Sequence, residues 1–301
     1  MSKPTAVFLL FLALVVSGCA AVPGAPSIYL EGGPAGLAVS QGIVWVTVGQ
    51  DSVARIDART NQVVTRIQVG RDPVGLAIAR GFVWVANRVD GTVSRIDALT
   101  HLVVATIPVG SRPLLVAASD DSIWVTNQGS GDVSKIDPQS NRTTATIAIG
   151  IFPTGIAVDA NTVWVADFRG HKVVRIDATS NQIIGEPIAV GQGPEDIAVS
   201  GNAVWVASSV GNSVSRIDAR TNQVVATIPI AGGPTGLVIV GDAVWVSLIT
   251  RASVVKIDSR TNSIVGLPIR VARNPTLMAV GEGAIWVSSG LVERVSRVTL
   301  Q

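Results

Sequence analysis

The sequence predicts an all-β protein folded as a seven-bladed β-propeller, with four antiparallel strands in each blade. Three observations support this fold class. Seven tryptophans recur every 39 to 41 residues, a proline precedes each of them by 11 residues, and each unit of about 40 residues alternates four short β-type runs with turn residues. The tryptophans are Trp45, Trp84, Trp124, Trp164, Trp205, Trp245 and Trp286, and the prolines are Pro34, Pro73, Pro113, Pro153, Pro194, Pro234 and Pro275. A propeller repeats a four-stranded unit at this period, whereas a two-sheet sandwich does not.

The N-terminal segment is typical of an exported lipoprotein. After Lys3, residues 6–16 form an apolar run that is too short to span a bilayer as a helix but suits the core of a signal peptide. Residues 16–19, Val-Ser-Gly-Cys, resemble the bacterial lipobox, in which cleavage before the cysteine exposes its thiol to lipid. An ordinary secretory signal, with Cys19 as an incidental free thiol, is the alternative.

These features predict the domain boundaries and the location of the protein. We expect a lipoprotein signal peptide over residues 1–18, a lipidated tether over residues 19–26 and a propeller over residues 27–301. The mature protein would be exported and lipid-anchored through Cys19, on the periplasmic or extracellular side of a bacterial membrane. At about 3.3 Å per residue the tether spans some 20 to 25 Å, so the folded body should lie close to the membrane.

Residues that recur in every unit are predicted to stabilise the fold. Each tryptophan falls in the second strand, where its ring can fill the wedge between blades; ligand contact is the alternative. The aspartates that end the third strands, and the asparagines that usually follow, are typical of tight turns; calcium binding is the alternative. A basic residue in each third strand is predicted to pack along its stem and to reach a carboxylate or water with its charged head. The aspartates are Asp57, Asp97, Asp137, Asp177, Asp218 and Asp258, and the basic residues are Arg55, Arg95, Lys135, Arg175, Arg216, Lys256 and Arg297.

The last unit lacks a fourth strand, because the chain ends shortly after the run Val295 to Leu300. The N-terminus contains a spare one: residues 27–34 align with residues 105–110 and their neighbours, which form a fourth strand in the second unit. We therefore expect Ile28 and Leu30 to belong to the outer strand of blade 7. This pairing would close the ring and protect a sheet edge.

Composition argues against several classes of function. The net charge of +2 and the lack of a basic run do not favour a nucleic-acid partner. One cysteine rules out an internal disulfide and a multi-cysteine metal site, and two histidines leave little for a histidine-based zinc centre. We therefore expect no cofactor, no metal site and no catalytic residues.

The repeat resembles the YVTN family of bacterial propeller repeats. Residues 83–87 (Val-Trp-Val-Ala-Asn), 93–97 (Val-Ser-Arg-Ile-Asp) and 104–113 carry this resemblance, which extends over residues 27–300. It is specific for the fold but says little about function, because these repeats occur in surface and periplasmic proteins of mixed or unknown role.

The chain also resembles virginiamycin B lyase and its relatives, which are seven-bladed and have a similar Gly-x-x-x-Trp strand. That resemblance implies a site of His and Glu residues with a divalent metal at one mouth of the channel. Here His101 falls in a turn between third and fourth strands, and His171 in a loop on the opposite face. Because the two histidines are not expected to share a site, the sequence does not favour lyase chemistry.

Variation among the units points to one face of the propeller. The loops that lead into each blade and those that join second to third strands lie together on this face, and they differ from blade to blade. We call it the variable face; the opposite one, with nearly identical turns, is the turn face. Charged and aromatic side chains concentrate on the variable face of blades 2 to 5, and loops on a rigid scaffold often bind ligands. The candidate binding residues are Arg71, Asp72, Arg88, Arg112, Phe152, Asp167, Phe168, Arg169, His171, Glu195 and Asp196.

Asp196 is the most informative of these residues. Two residues after the repeated proline, four units have glycine, which leaves room beside the channel, and two have leucine, but the fifth unit has Asp196. With Glu195, it could form a channel-mouth site together with Arg112, Asp167 and His171; a solvated acid in channel water is the other interpretation. We expect a module that binds an envelope protein or a small ligand. The alternatives are a metal-dependent lyase or lactonase-like enzyme and a structural role in the envelope.

Overall fold

The computed structural model describes residues 24–119, 121–159 and 161–300. The signal peptide predicted for residues 1–18 and the first five residues of the predicted tether lie outside the described residues. Within those ranges, no helix has the length and apolar character needed to cross a membrane.

The described chain forms 28 strands and one short 3-10 helix at Gly290–Val292. Strand β1 (Ser27–Tyr29) precedes blade 1, which contains β2 (Pro34–Ser40), β3 (Ile43–Val48), β4 (Ser52–Asp57) and β5 (Gln62–Gln68). Blade 2 contains β6 (Pro73–Ala79), β7 (Phe82–Asn87), β8 (Thr92–Asp97) and β9 (Val103–Pro108). Blade 3 contains β10 (Pro113–Ala118), β11 (Ile123–Asn127), β12 (Asp132–Asp137) and β13 (Arg142–Ala148). Blade 4 contains β14 (Pro153–Asp159), β15 (Thr162–Asp167), β16 (Lys172–Asp177) and the short β17 (Ile188–Ala189). Blade 5 contains β18 (Pro194–Ser200), β19 (Ala203–Ser208), β20 (Ser213–Asp218) and β21 (Gln223–Pro229). Blade 6 contains β22 (Pro234–Val240), β23 (Ala243–Leu248), β24 (Ser253–Asp258) and β25 (Ser263–Arg270). Blade 7 contains β26 (Met278–Gly281), β27 (Ala284–Ser289) and β28 (Arg294–Thr299).

These strands form seven four-stranded antiparallel sheets, which confirms the predicted fold class. In blade 7 the fourth position is taken by β1, so the ring is closed by the N-terminal strand as predicted. Ile28 lies opposite Val295 in this pairing. Leu30 follows the strand; its backbone N–H donates to the carbonyl of Glu293, and its side chain is fully buried. The Glu293 carboxylate accepts hydrogen bonds from the Tyr29 hydroxyl and the Gly32 N–H, which fixes the junction further.

The tryptophans pack between blades, as predicted. Trp84 of blade 2 lies in one buried cluster with Ile123, Val125 and Ile136 of blade 3, and six of the seven indoles are almost fully buried. A ring of this size buries on the order of 150 to 250 Å², so these contacts supply much of the cohesion between blades.

The basic residue of the third strand joins neighbouring blades. Its head lies 5.0–5.9 Å from the tryptophan ring centroid of its own blade. It then reaches the next blade: Lys135 Nζ donates to the Ala178 carbonyl and to Asn181 Oδ1. Arg95 and Arg216 make the same two bonds to their own neighbours. The predicted partner, a carboxylate or water, was wrong for these three residues; carbonyl and amide oxygens of the next turn accept instead.

The aspartates that end the third strands cap the turns of the turn face. In a typical turn, Asp218 Oδ1 accepts the N–H groups of Arg220 and Thr221, and Asn222 follows with a left-handed φ of 60°. These hydrogen bonds hold the pKa of the six aspartates below the usual range. The contacts support the predicted turn role.

The glycine at the third position of the inner strand in blades 1, 2, 4 and 6 lies against the next blade. A Cβ placed on Gly75 would lie 2.6 Å from Cα of Leu115, and one placed on Gly155 would lie 2.7 Å from Cα of Asp196. Glycine therefore lets successive inner strands approach around the channel. The prediction that these glycines leave room beside the channel was wrong, because the backbone of the next blade takes up that space.

Candidate functional site

The variable face is held together by backbone hydrogen bonds within each blade. Carbonyl groups of the loop that leads into a blade accept hydrogen bonds from N–H groups of the loop between the second and third strands. Arg88 N donates to Asp72 O, Gln128 N to Arg112 O, and Phe168 N to Phe152 O. The two sets of loops therefore lie on one face, as predicted. Because each pair is fixed by main-chain contacts, the side chains they carry project from a rigid frame.

The charged residues of blade 2 form two ion pairs. The Arg71 side chain contacts Asp90 at 2.6 Å, and Arg88 contacts Asp72 at 2.6 Å. The Arg71 backbone N–H and guanidinium both donate to Asp90 and lower the pKa of its carboxyl. Asp90 was not among the candidate residues, although its place in the same loop as Arg88 could have indicated it. These side chains satisfy one another and make this sector a preorganised polar surface.

Blade 4 carries an aromatic cluster. The rings of Phe152 and Phe168 pack at a centroid distance of 5.9 Å, and the guanidinium of Arg169 lies 4.9 Å from the centre of the Phe152 ring. Both phenylalanines are only partly buried and Arg169 is exposed. The cluster is therefore an accessible surface with an apolar body and a cationic edge.

Asp167 is buried beneath this cluster and fixes the loop that carries Phe152. Its side chain is 1% exposed, accepts the Phe152 N–H at 3.1 Å, and lies 3.9 Å from Lys172 Nζ. The equivalent residues of blades 2 and 3 are Asn87 and Asn127, which are also buried. Asp167 thus positions a loop and does not face solvent.

The two histidines lie far apart in the fold. His171 Nδ1 accepts the Gly193 N–H at 3.1 Å and so connects blade 4 to the loop that leads into blade 5. His101 lies on the turn face, with its ring 6.4 Å from that of Trp45 and Nδ1 3.4 Å from Arg55. Each ring is engaged with its own neighbours, so the two cannot bind one ligand together.

Asp196 lines the central channel near its variable-face end, since it is the third residue of β18. Its two carboxylate oxygens accept the Ile197 N–H and the Leu237 N–H, each at 2.9 Å, so it joins the inner strands of blades 5 and 6. Burial raises the pKa of Asp196 to about 7, the two backbone hydrogen bonds oppose the rise, and the charge of Glu195 adds to it. Burial likewise raises the pKa of Glu195, which accepts a hydrogen bond from the Ser209 hydroxyl.

The channel around Asp196 is a cavity of about 160 Å³. The other residues that line it are two glycines, one methionine and eight aliphatic residues: Gly36, Gly75, Met278, Leu37, Leu76, Leu115, Val116, Ile156, Ile197, Leu237 and Leu277. Among the described residues, no Lys or Arg forms an ion pair with Asp196. A half-buried carboxylate without a counter-charge favours contact with a cationic or proton-donating group.

The predicted channel-mouth residues are not joined into one network. Asp167 and His171 are engaged in loop contacts, Arg112 is exposed, and neither ion pairs nor hydrogen bonds connect these three side chains to Asp196 in the part of the chain that the structure describes. Glu195 and Asp196 are the pair that the fold brings together. Sequence adjacency predicted this pair, whereas the Leu237 contact comes from a neighbouring blade and has no local signal.

The residues of this chain do not fit the divalent metal that the lyase resemblance implies. Within residues 24–119, 121–159 and 161–300, no three His, Cys, Asp or Glu side chains lie close enough to share a metal ion. Both Asp196 oxygens already accept backbone N–H groups, and the single histidine of the variable face accepts from Gly193.

Comparison with known proteins places the chain in a family. A sequence model of the virginiamycin B lyase family matches residues 59–301. Virginiamycin B lyase from Staphylococcus aureus superposes with a TM-score of 0.79 at 19% identity, covering 92% of this chain and 99% of that chain. A streptogramin B lyase gives 0.78 at 17% identity, covering 92% and 97%. Hydrazine synthase from Kuenenia stuttgartiensis gives 0.79 at 17% identity, covering 90% and 97%.

These structural likenesses show the fold alone, since proteins of different activity share it at similar identity. The search of curated proteins finds no significant match, and the resemblance to YVTN repeats stays a prediction. The family match extends over most of the chain and every blade from the second onward, together with part of the first. On this basis the chain is a seven-bladed propeller that belongs to the virginiamycin B lyase family.

Proposed function

We propose that this protein is a lipid-anchored binding propeller of a bacterial envelope, whose ligand sits on the variable face and presents an ammonium group to Asp196. The observation that carries this proposal is the half-buried carboxylate of Asp196, which lines a narrow channel among aliphatic side chains and forms no ion pair with a described Lys or Arg. Removing a charge from water without a partner raises the free energy of the folded protein, and a ligand that supplies the opposite charge offsets much of this penalty.

Comparison of the blades supports a role in binding for Asp196. The equivalent residues are Gly36, Gly75, Gly155 and Gly236 in four blades, and Leu115 and Leu277 in two. Because those residues form the same inner strand, a carboxylate is not required for the fold at this position. A group that costs stability at a position where other blades form the same strand without it is a candidate for function.

The surrounding face offers contacts for the rest of a ligand. Phe152, Phe168 and Arg169 provide an apolar surface with a cationic edge, and blade 2 adds the paired charges of Arg71 and Arg88. The channel itself admits only a small group, so we expect the ligand body to lie outside it. A lysine side chain of a partner protein and a free alkylamine both meet this description.

The second candidate function is a lyase, which family membership favours. One family structure is a catalytically inactive histidine-to-alanine variant of the S. aureus lyase with quinupristin. Among the residues that the structure describes, this chain has no donor set for a metal, which argues against the same activity. Incubation with quinupristin and a divalent metal ion separates the two functions: we expect quinupristin to be recovered intact, and its cleavage would establish the enzyme.

Titration of the folded protein tests the binding proposal. Butylammonium should raise the melting temperature of the wild-type protein, and pentanol, its neutral analogue, should not. A free ligand concentration of 100 times the dissociation constant adds about 2.7 kcal/mol to the free energy of unfolding. Asp196→Leu, which copies blades 3 and 7, should abolish the effect, while Asp242→Asn on the turn face should retain it. An equal response of the Leu variant, or no response of the wild type to any amine, would refute the proposal.

Metal ions provide a matched control. We expect calcium, magnesium, manganese and zinc at millimolar concentration to leave the melting temperature nearly unchanged. If one ion stabilises the protein and Asp196→Ala removes that gain, the binding proposal must give way to a metalloenzyme centred on the channel mouth.

A further inference from the structure

The chain enters the described structure at the rim of blades 6 and 7. The Ala25 N–H donates to the carbonyl of Arg270, the last residue of the outer strand β25, and the Arg297 N–H of β28 donates to the carbonyl of Pro26. Residues 24–26 are therefore held between these two blades, and the segment that leads back to Cys19 leaves from this point of the rim.

The distance from Cys19 to Gly24 is short. Five residues span at most about 18 Å, even when fully extended. If Cys19 carries lipid, as proposed above, its acyl chains hold it at the membrane surface. Gly24 and the rim around it must then stay within that distance of the headgroups, whereas blades 2 and 3 lie across the ring. The anchor thus selects which part of the propeller meets the membrane.

Charge distinguishes this part of the molecule from the rest. Residues 241–300 contain seven Lys and Arg against four Asp and Glu, whereas residues 24–240 contain fifteen against seventeen. Three of the cations are exposed and belong to segments that adjoin the point of chain exit. Arg270 ends β25 and its carbonyl accepts the Ala25 N–H, and Arg273 follows it in the loop leading into blade 7. Arg251 precedes Ala252, whose carbonyl accepts the Val271 N–H. A basic patch beside a lipid anchor is attracted to anionic headgroups.

Exposed apolar side chains lie on the same rim. Leu267 of β25 is 90% exposed and Tyr29 of β1 is 54% exposed, with the Arg294 guanidinium 5.2 Å from the centre of the tyrosine ring. Blade 2 also exposes Leu102, in the turn before its outer strand β9, at 64%, so exposure alone does not define the surface. The combination of chain exit, cationic excess and amphipathic side chains occurs at blades 6 and 7.

We propose that the rim of blades 6 and 7 rests on the anionic surface of the membrane to which Cys19 is anchored. Arg251, Arg270 and Arg273 contact the headgroups, and Leu267 and Tyr29 enter the interface. The inference rests on the lipid anchor for its geometry, but its chemistry belongs to the propeller itself and can be tested separately.

The first experiment uses the lipidated protein in vesicles. Lipidation consumes Cys19, so Leu267→Cys introduces a single thiol for an environment-sensitive fluorophore, and Leu102→Cys on blade 2 is the matched control. On vesicles of phosphatidylglycerol and phosphatidylcholine, the probe at residue 267 should shift to the blue and be quenched by a lipid-borne quencher, and the probe at residue 102 should not. Equal behaviour of the two probes would overturn the proposal.

The second experiment removes the anchor. The mature chain from residue 19 with Cys19→Ser keeps all seven blades and the closing strand. It should sediment with phosphatidylglycerol vesicles at low salt and not with pure phosphatidylcholine. Arg270→Glu with Arg273→Glu should weaken binding at least tenfold, while Arg59→Glu with Arg220→Glu on the turn face should change it little.

The two experiments separate the two proposals. Binding of the unlipidated chain that depends on Arg270 and Arg273 supports the rim even if Cys19 carries no lipid. Lipid attachment without contact at residue 267 refutes the rim and leaves the anchor standing. If the Arg59 and Arg220 variant weakens vesicle binding equally, another surface contacts the membrane and the rim proposal is refuted. If the protein self-associates through this rim, on vesicles or in solution, a second copy of the chain and not the membrane covers it.

Discussion

Replacing Asp196 with Asn should change how the stability of the propeller depends on pH. The pKa of Asp196 is about 7 in the folded protein, against 3.8 for an ordinary aspartate. Because the folded-state value is the higher one, the folded protein keeps a proton that the unfolded chain releases. The free energy of unfolding therefore falls as the pH rises from about 4 to about 7, and the full penalty is present above pH 7.

The size of the effect follows from the shift. At about 1.4 kcal/mol per pH unit, the ionised Asp196 costs on the order of 4 kcal/mol at pH 8. Asn cannot ionise, but its single carbonyl oxygen can accept only one of the N–H groups of Ile197 and Leu237, and an unsatisfied N–H costs about 1–3 kcal/mol. We expect the variant to be about 1–3 kcal/mol more stable than the wild type at pH 8. At pH 4 it should be no more stable.

Denaturant unfolding at several pH values between 4 and 8 measures this difference. Asp242→Asn, which removes an exposed carboxylate from the turn face, is the matched control and should leave the pH dependence unchanged. Two parallel stability curves for the wild type and Asp196→Asn, or a variant that is less stable at pH 8, would show that the channel carboxylate does not titrate as argued.

Three further predictions follow from the fold and the anchor. Lys135→Met should lower the free energy of unfolding by about 1.5–3 kcal/mol, because it removes charged hydrogen bonds to blade 4. Arg175→Met should lower it less, because the Arg175 guanidinium donates to Ile184 of its own blade. Urea unfolding measures both variants, and equal losses would contradict the interblade role of Lys135. Deleting residues 27–33 removes β1 and should lower the melting temperature by many degrees, so an unchanged melting temperature would mean that the ring does not depend on this closure. Cys19→Ser should abolish incorporation of labelled fatty acid and move the protein from the membrane to the soluble fraction, and unchanged partition would remove the lipoprotein proposal.

The fold could be predicted from the sequence because each blade repeats the same local requirements. A tryptophan at a fixed interval needs the same wedge in every blade, and an aspartate such as Asp218 needs the same two N–H donors in its turn. Closure by Ile28 was predictable for the same reason, since its segment matches a strand that the last unit lacks. Local signals suffice when they agree with one another over seven copies.

The candidate site was harder to predict because its contacts join residues that are distant in sequence, within one blade or between two. Nothing near Asp167 in the sequence indicates that Phe152 will donate to it, and nothing near Asp196 indicates the N–H of Leu237. The repeat pattern shows that a residue differs from its equivalents in the other blades. It does not show whether the side chain faces solvent or holds a loop by hydrogen bonds. Asp196 and Asp167 were both singled out, and only the structure distinguishes the channel acid from the loop support.

The two proposed surfaces are compatible with each other in one orientation. If the rim of blades 6 and 7 faces the membrane, blades 2 to 4 point away from it, because they lie across the ring. The aromatic cluster of Phe152 and Phe168 and the ion pairs of Arg71 and Arg88 then remain open to the space beyond the membrane. Contact through the rim of blades 6 and 7 and through their adjoining loops, which carry Arg251 and Arg273, also leaves the channel mouth near Asp196 uncovered. A short tether at the rim therefore serves a binding face better than the same tether at the centre of either face would.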